Sequence, residues 1–279
     1  PAYYSFDSGN AHIVSLDSTQ PTNAAMYAWL AADLSANTSD WLIAVWTDPA
    51  HSKGSIDSDV STNSIAMRET FLPLLESNGV DVVINAGSGS YERSYLLNGY
   101  FGVSTNFVSA EHAINTGPET YLIATNGPFA QLGSVYVVAG SSGQTNAPTG
   151  THPAMVTNFV DTGSVVLDIV SNQLDVVFLD AVSNVLDSFT LHKIGVGDGD
   201  TDGDGLLTWE EYVAGTNPTN ATSVLVITSG ESLTGDDFVL TWQSIEGKSY
   251  SIITNTSLVF PEPGTAVSGI VGKPDETSY

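Results

Sequence analysis

The chain has 279 residues, more than one core usually organises, and 42% of them are hydrophobic, so two domains or one domain with an appendage are expected. Its 31 acidic residues stand against 6 basic ones, a formal net charge of -25, which excludes nucleic acid and anionic membrane surfaces as partners and makes cations the natural counterparts. There is no cysteine, which removes disulfides, thiolate metal sites and cysteine nucleophiles together, and no run of about 18 apolar residues marks a membrane span.

From Tyr3 to Asp17 the pattern is strand, tight turn at "SGN", and strand "AHIVSLD" with alternating apolar residues. The chain opens directly on these strands, so it is expected to start mid-domain. "PTNAAMYAWLAADLSA" places Met26, Trp29, Leu30 and Leu34 at helical spacing. "WLIAVWT" reads as a fully buried strand, followed by a polar loop "DPAHSKGSIDSDVSTN". A second helix over "SIAMRETFLPLLESNG", stopped by Asn78 and Gly79, feeds the strand "VDVVINA". Helices between apolar strands imply a sheet covered on at least one face.

After Tyr91 short strands alternate with Gly, Asn and Pro turns, a texture that predicts antiparallel pairing, with a hairpin in "VLDIVSNQLDVVFLD" through Ser171 and Asn172. At "GVGDGDTDGDG" the composition shifts abruptly to Gly and Asp, a domain boundary. Further short strands beyond "WEEYVAGTNPTNATS" predict a small β-sandwich that lacks strands to close it.

Within that boundary, Asp200, Asp202, Asp204, Leu206, Thr208 and Glu211 occupy the ligand positions of a twelve-residue EF-hand loop, with Gly205 at the sharp bend and apolar Leu207 at the eighth position. Alternate acidic oxygens on one side of a turning loop, a backbone carbonyl at the seventh position, Leu206, and a bidentate Glu suit calcium. An acidic linker would not need those fixed offsets. Trp209 to Ala214 should form the exiting helix, capped by Gly215. No matching helix precedes Asp200, so a structural brace is expected rather than a sensor, which needs a helix pair to open.

Four stretches, "YYSFDSGNAHIVSLDS", "WLIAVWTDPAHSKGS", "AMRETFLPLLESNGVDVVINAGSGSYERS" and "SVYVVAGSSGQ" followed by "HPAMV", resemble in order the C-terminal half of a calcineurin-like metallophosphoesterase of the purple acid phosphatase type. In that family "YERS" follows G-H-x-H-S and the "WLI" strand ends in H-H-P-P-Y-S-K-G, and the histidines hold two metal ions that bind phosphate and activate water. The resemblance places Gly87 and Gly89 at the two His before "YERS", Thr47 at the ligand His after the "WLI" strand, and Asp48 beside it. Three imidazole ligands are thus replaced. The family's remaining ligands lie in an N-terminal half that this sequence does not contain.

Among the other candidates, His51 reads as a solvated loop residue, His12 as a structural strand residue, and His112, His152 and His192 show no partner set at ligand spacing. Ser88 and Ser90 have no accompanying base, and Glu92 and Arg93 are expected to pair within the sheet.

The expectations are therefore an α+β chain in three parts. Residues 1–194 form part of a metallophosphoesterase αββα sandwich, 195–220 an EF-hand-like calcium linker, and 221–279 a small all-β sandwich. No catalytic residue is assigned, calcium is the expected ion, and no transition metal is expected. The expected protein is a secreted or cell-surface bacterial scaffold, catalytically inactive, that self-associates or takes up a complementing N-terminal half. Two alternatives stand beside it: an active phosphoesterase completed by that half, and a carbohydrate-binding or adhesion protein using Trp242 and the tyrosines of the terminal sandwich.

Overall fold

The computed structural model describes residues 2–115, 120–125, 130–194, 199–207, 210–211, 214–217, 219–232, 238–245, 248–254, 265–273 and 275–278. It divides into two compact units, Pro1–Lys193 and Ile194–Tyr279.

The first unit begins with the hairpin β1 (Tyr4–Ser8) and β2 (Ala11–Ser15), then alternates α1 (Ala24–Ala36), β3 (Trp41–Trp46), α2 (Thr62–Ser77) and β4 (Val82–Asn85). Each helix has a side-chain cap: Asn23 Oδ1 accepts from Ala25 N and Met26 N, and Ser61 Oγ accepts from Ser64 N. Two βαβ crossovers force β2, β3 and β4 to run parallel, in the register Val14↔Ala44 and Ala44↔Val83. The chain continues through β5 (Tyr91–Leu97), β6 (Ala113–Asn115), β7 (Thr120–Ala124), β8 (Ser134–Ala139) and β9 (Met155–Phe159) to β10 (Gly163–Val170), β11 (Gln173–Asp180) and β12 (Val185–Ile194).

The first sheet has the order β1-β2-β3-β4-β8-β5-β6, with β9 also paired to β5, and the second the order β10-β11-β12-β7. The uniformly antiparallel reading after Tyr91 needs one correction. β8 pairs antiparallel with β5 but parallel with β4, Val82↔Val135 to Asn85↔Val138, so it joins the two halves of the first sheet. The β10–β11 hairpin turns through Ser171 and Asn172 with Val170↔Gln173 as its last pair, and Ser171 takes φ +56°.

Two cores flank the first sheet. On one face Met26, Leu30, Met67, Phe71 and Leu75 of the helices pack on Val14, Leu42, Ala44, Val83 and Tyr136. On the other, Trp41, Ile43, Val82, Tyr91 and Val137 pack on Leu174, Val176, Phe178, Phe189 and Leu191 of the second sheet. This double burial is why "WLIAVW" reads as a continuous apolar run rather than an alternating one. The outer face of the second sheet is exposed, as Ser164, Val166, Asp168 and Val170 show. The described layers are therefore helix, sheet, sheet, three of the four in an αββα sandwich.

In the second unit, β13 (Ile227–Ser232), β14 (Phe238–Ser244) and β17 (Asp275–Ser278) form one antiparallel sheet, and β15 (Ser249–Thr254) and β16 (Thr265–Val271) another pair. Trp242 is buried and meets the Tyr250 ring edge-on at 5.7 Å.

Candidate functional site

The parallel strands β3 and β4 end side by side, and their following loops meet there. Asp48 Oδ2 accepts from Ser18 Oγ at 2.6 Å, so this carboxylate is tied to the loop after β2, and Trp46 Nε1 donates to the main-chain Asp48 O at 2.6 Å. Thr47 is exposed at the tip, and its carbonyl accepts from Gly87 N at 2.8 Å.

No space is left at the two glycines. A Cβ at Gly87 would lie 2.7 Å from Thr47 O and 2.9 Å from Ile56 Cδ1; one at Gly89 would lie 2.4 Å from Asn146 Nδ2 and 3.0 Å from Asn146 N. Gly89 also sits at φ +63°, where a side chain is strained. Between them Ser88 takes φ +89°. Its strained backbone is held by Ser55 N and Oγ, which donate to Ser88 O at 3.2 and 2.7 Å, and by Ile56 N, which donates to Ser88 Oγ at 3.1 Å.

Beneath this plug lies Glu92, fully buried. Ser52 Oγ and Ser90 Oγ donate to its Oε1 at 2.6 and 2.9 Å, and Lys53 N to its Oε2 at 3.3 Å. Burial pushes the carboxyl up, and these donors only partly offset it. Ser52 and Ser88 lie 3.0 Å apart through their hydroxyls. The group is a satisfied hydrogen-bond network of serines around one acid, with no imidazole in it to act as a base.

Glu92 and Arg93 do not pair, contrary to the sequence expectation, because neighbours on a strand project to opposite faces. Arg93 points into the inter-sheet core and forms a bidentate pair with Asp187 of β12, Nε–Oδ2 2.6 Å and Nη2–Oδ1 2.8 Å. Its Nη1 donates to Tyr121 Oη at 2.8 Å, and Tyr91 Oη donates to Asp187 Oδ2 at 2.7 Å.

His51 is likewise not solvated. It is 0% exposed, stacked on Tyr100 at 4.7 Å and 5.4 Å from His152. The loop after β3 folds back into the helix-side core, which the turn-forming composition of the loop conceals. His12 is structural as expected, bridging Asp7 Oδ1 at 2.6 Å and Asp33 Oδ2 at 2.9 Å. Burial lowers its pKa but the two carboxylates outweigh it, so the ring titrates above its ordinary value.

In the second unit, oxygens of Asp200, Asp202 and Asp204 converge within 4.8 Å of one another. The loop is shaped by its own amides: Asp200 Oδ1 accepts from Gly203 N at 2.6 Å and Oδ2 from Gly205 N at 2.8 Å, with Gly205 at φ +98°. Glu211 is 0% exposed, on a helical turn set by Glu211 N to Leu207 O at 3.1 Å and Gly215 N to Glu211 O at 2.7 Å. Burial and then Asp202 and Asp204 push its carboxyl up. Asp202 Oδ2, Asp204 Oδ2 and Glu211 Oε2 are buried without a hydrogen-bond partner among the described residues, the pattern of donors that suit a hard cation. Leu206, whose carbonyl is expected at the seventh loop position, lies in the same turn, its amide donating to Asp204 Oδ1 at 2.7 Å. Thr208 and, of the exit helix, Trp209, Tyr212 and Val213 lie outside the described residues.

No protein-family model matches the chain. It is similar to two curated proteins of Arabidopsis thaliana, purple acid phosphatase 15 (33% identity over 103 residues) and purple acid phosphatase 13 (34% over 107). These matches cover 35% and 36% of the chain, and it spans about a fifth of the length of each relative, 19%. Among solved structures it is similar to purple acid phosphatase PPD1 from yellow lupin (Lupinus luteus) seeds, with a TM-score of 0.57 and 19% identity, over 68% of this chain and 32% of that one. Over about two thirds of its length, then, the chain has the calcineurin-like metallophosphoesterase fold of the purple acid phosphatase type.

Proposed function

We propose that the chain is a phosphoesterase-like scaffold without phosphoesterase activity, secreted or displayed at a bacterial cell surface, in which calcium braces the linker after β12. The observation that carries this reading is the state of the sheet end. A bimetallic cradle needs donors about 2.0–2.6 Å from each ion. Here the two positions that resemble imidazole ligands are glycines whose Cβ space is filled by Thr47 O, Ile56 and Asn146, and Asp48 is engaged by Ser18.

The calcium part of the proposal rests on the converging carboxylates and on the three buried oxygens that lack partners. Asp200, Asp202, Asp204, Leu206 and Glu211 would hold the ion, with Thr208 completing the set. Calcium would neutralise a carboxylate cluster in a chain of net charge -25.

The proposed partner contributes a β-strand. Among the described strands β10 is an edge of the second sheet, and beneath it lies a cleft of about 470 Å³ lined by Ile13, Ile43, Val45, Ile84, Leu167 and Ile169. A strand from a complementing N-terminal half, or from a second copy, would pair with that edge and fill the cleft.

The test is turnover of p-nitrophenyl phosphate by the chain loaded in turn with iron, zinc and manganese. The proposal expects no rate above that of the free ions. Metal-dependent turnover abolished by substituting Asp48 would overturn it.

A further inference from the structure

On the helix side of the sheet end lies a buried cluster of basic side chains. His51 comes from the loop between β3 and α2, Arg68 from α2, and His152 from the segment leading into β9; each is 0% exposed. The His51 ring lies flat on Tyr100 at 4.7 Å, meets Tyr136 edge-on at 4.9 Å, and is 5.4 Å from His152. His152 Nδ1 accepts from Ala154 N at 3.2 Å. Arg68 bonds only to carbonyls, Nε to Phe101 O at 3.1 Å and Nη1 to Ala50 O at 2.9 Å and Ser58 O at 3.0 Å. Both nitrogens of His51, Nε2 of His152 and Nη2 of Arg68 have no hydrogen-bond partner among the described residues.

Other charged groups border this cluster; most are engaged elsewhere, and Glu69 is exposed. Asp59 is bonded by Lys53 Nζ at 2.8 Å and by Ser104 N at 2.8 Å, and Asp57 by the same Lys53 at 2.7 Å. Glu76 of α2 is bonded to Tyr136 Oη and accepts from Gly99 N at 2.7 Å. Glu69 is the remaining acid of α2 that acts on Arg68. His112 lies 5.0 Å from the Tyr100 ring and accepts from Val108 N. No carboxylate thus bonds either buried ring.

We propose that His51 and His152 are an acid-operated latch. With both rings neutral, they pin the loop after β3 and the segment before β9 onto the sheet end. A proton on either ring adds a charge beside Arg68 with no carboxylate bonded to the ring; Asp59 and Asp57, both held by Lys53, offset it only in part at His152, and the latch opens, exposing the Ser52–Ser88–Glu92 network. The electrostatics point the same way. Burial, then the opposite imidazole and Arg68, hold His51 well below its ordinary value, and burial brings His152 down to about 4. A ring that titrates at 6.5 when open and about 4 when closed favours opening as the pH falls through that interval, by about 60-fold at pH 4.5 relative to pH 7.0.

The test is hydrogen exchange of the full chain at pH 7.0 and 4.5, corrected for intrinsic rates. Peptides covering residues 47–61 and 148–154 should lose protection by about 50- to 100-fold at the lower pH, while those of β3, β4 and β8 stay protected. The His51→Phe, His152→Phe double variant, which keeps ring packing, should lose this dependence. Equal protection of the two segments at both pH values would overturn the latch. So would a pH dependence that survives the double variant and disappears in Asp59→Asn. Should the double variant fail to fold, imidazole ¹⁵N shifts of the wild-type protein decide: two rings still neutral at pH 5.5 are required, and their protonation at that pH in the folded state refutes the proposal.

Discussion

Replacing Asp187 by alanine should be among the most destabilising single changes in the first unit. Its carboxylate accepts two bonds along the Nε–Nη2 edge of the Arg93 guanidinium and a third from Tyr91, tying β5 of one sheet to β12 of the other. The Arg93 side chain is 2% exposed and that of Asp187 10%. Without the acid, the guanidinium keeps, among the described residues, the Tyr121 hydroxyl and the Phe189 face, 5.1 Å from its centre. A buried pair broken on one side costs about 3–5 kcal/mol, because the surviving charge is left uncompensated. For a unit of 193 residues that corresponds to a fall of about 6–20 °C in Tm. Urea titrations of Asp187→Ala, Arg93→Met and an Arg93→Met, Asp187→Leu double variant would measure it. The double variant should lose much less than the sum of the singles, since it removes both charges. Additive losses, or a cost for Asp187→Ala below about 1 kcal/mol, would refute the reasoning. Glu92→Gln serves as a control: it should leave the Arg93 clamp intact.

Lys193→Met should cost about 3–5 kcal/mol by the same logic, read by thermal unfolding, because it strands the buried Asp81 carboxylate 2.8 Å from where the ammonium sits. The stability gap between wild type and His152→Phe should shift by about 2–3 kcal/mol against wild type between pH 6.5 and 4.5, as measured by urea midpoints. The sign follows from a folded pKa of about 4 below the unfolded 6.5: the unfolded chain takes up its proton first as the pH falls. The difference is the right quantity because burial raises Asp81 to about 6 against the pull of Lys193, so that group favours folding as the pH falls from about 6 towards 3.8. For the acidic loop, Glu211→Gln should weaken calcium binding by at least about tenfold in calorimetric titration, because it removes the bidentate ligand; an unchanged affinity would place the ion elsewhere.

The local elements were legible where one physical cause decides them. Asn23 and Ser61 cap helices whose apolar spacing was already apparent, and the Ser171–Asn172 turn between two alternating runs reads as the hairpin it is. β3 declared its double burial through six consecutive apolar residues. Less was visible wherever tertiary contact decides. The apolar run of β8 cannot reveal that one neighbour lies parallel and the other antiparallel. Period-2 alternation separates Glu92 from Arg93 in principle, but the partner of Arg93 is 94 residues away. His51 lies among turn formers and looks solvated, and only the fold reveals Tyr100, Tyr136 and His152 around it. At the sheet end the sequence shows Gly87 and Gly89 themselves; that Ile56 and Asn146 lie where their side chains would stand is visible only in the fold.

The most direct measurement of the central claim is anomalous diffraction from crystals of this chain grown with calcium and soaked in manganese or zinc. The account predicts an ion among Asp200, Asp202, Asp204 and Glu211, and no anomalous peak beside Thr47, Gly87 and Gly89. A pair of peaks at those three residues would contradict it.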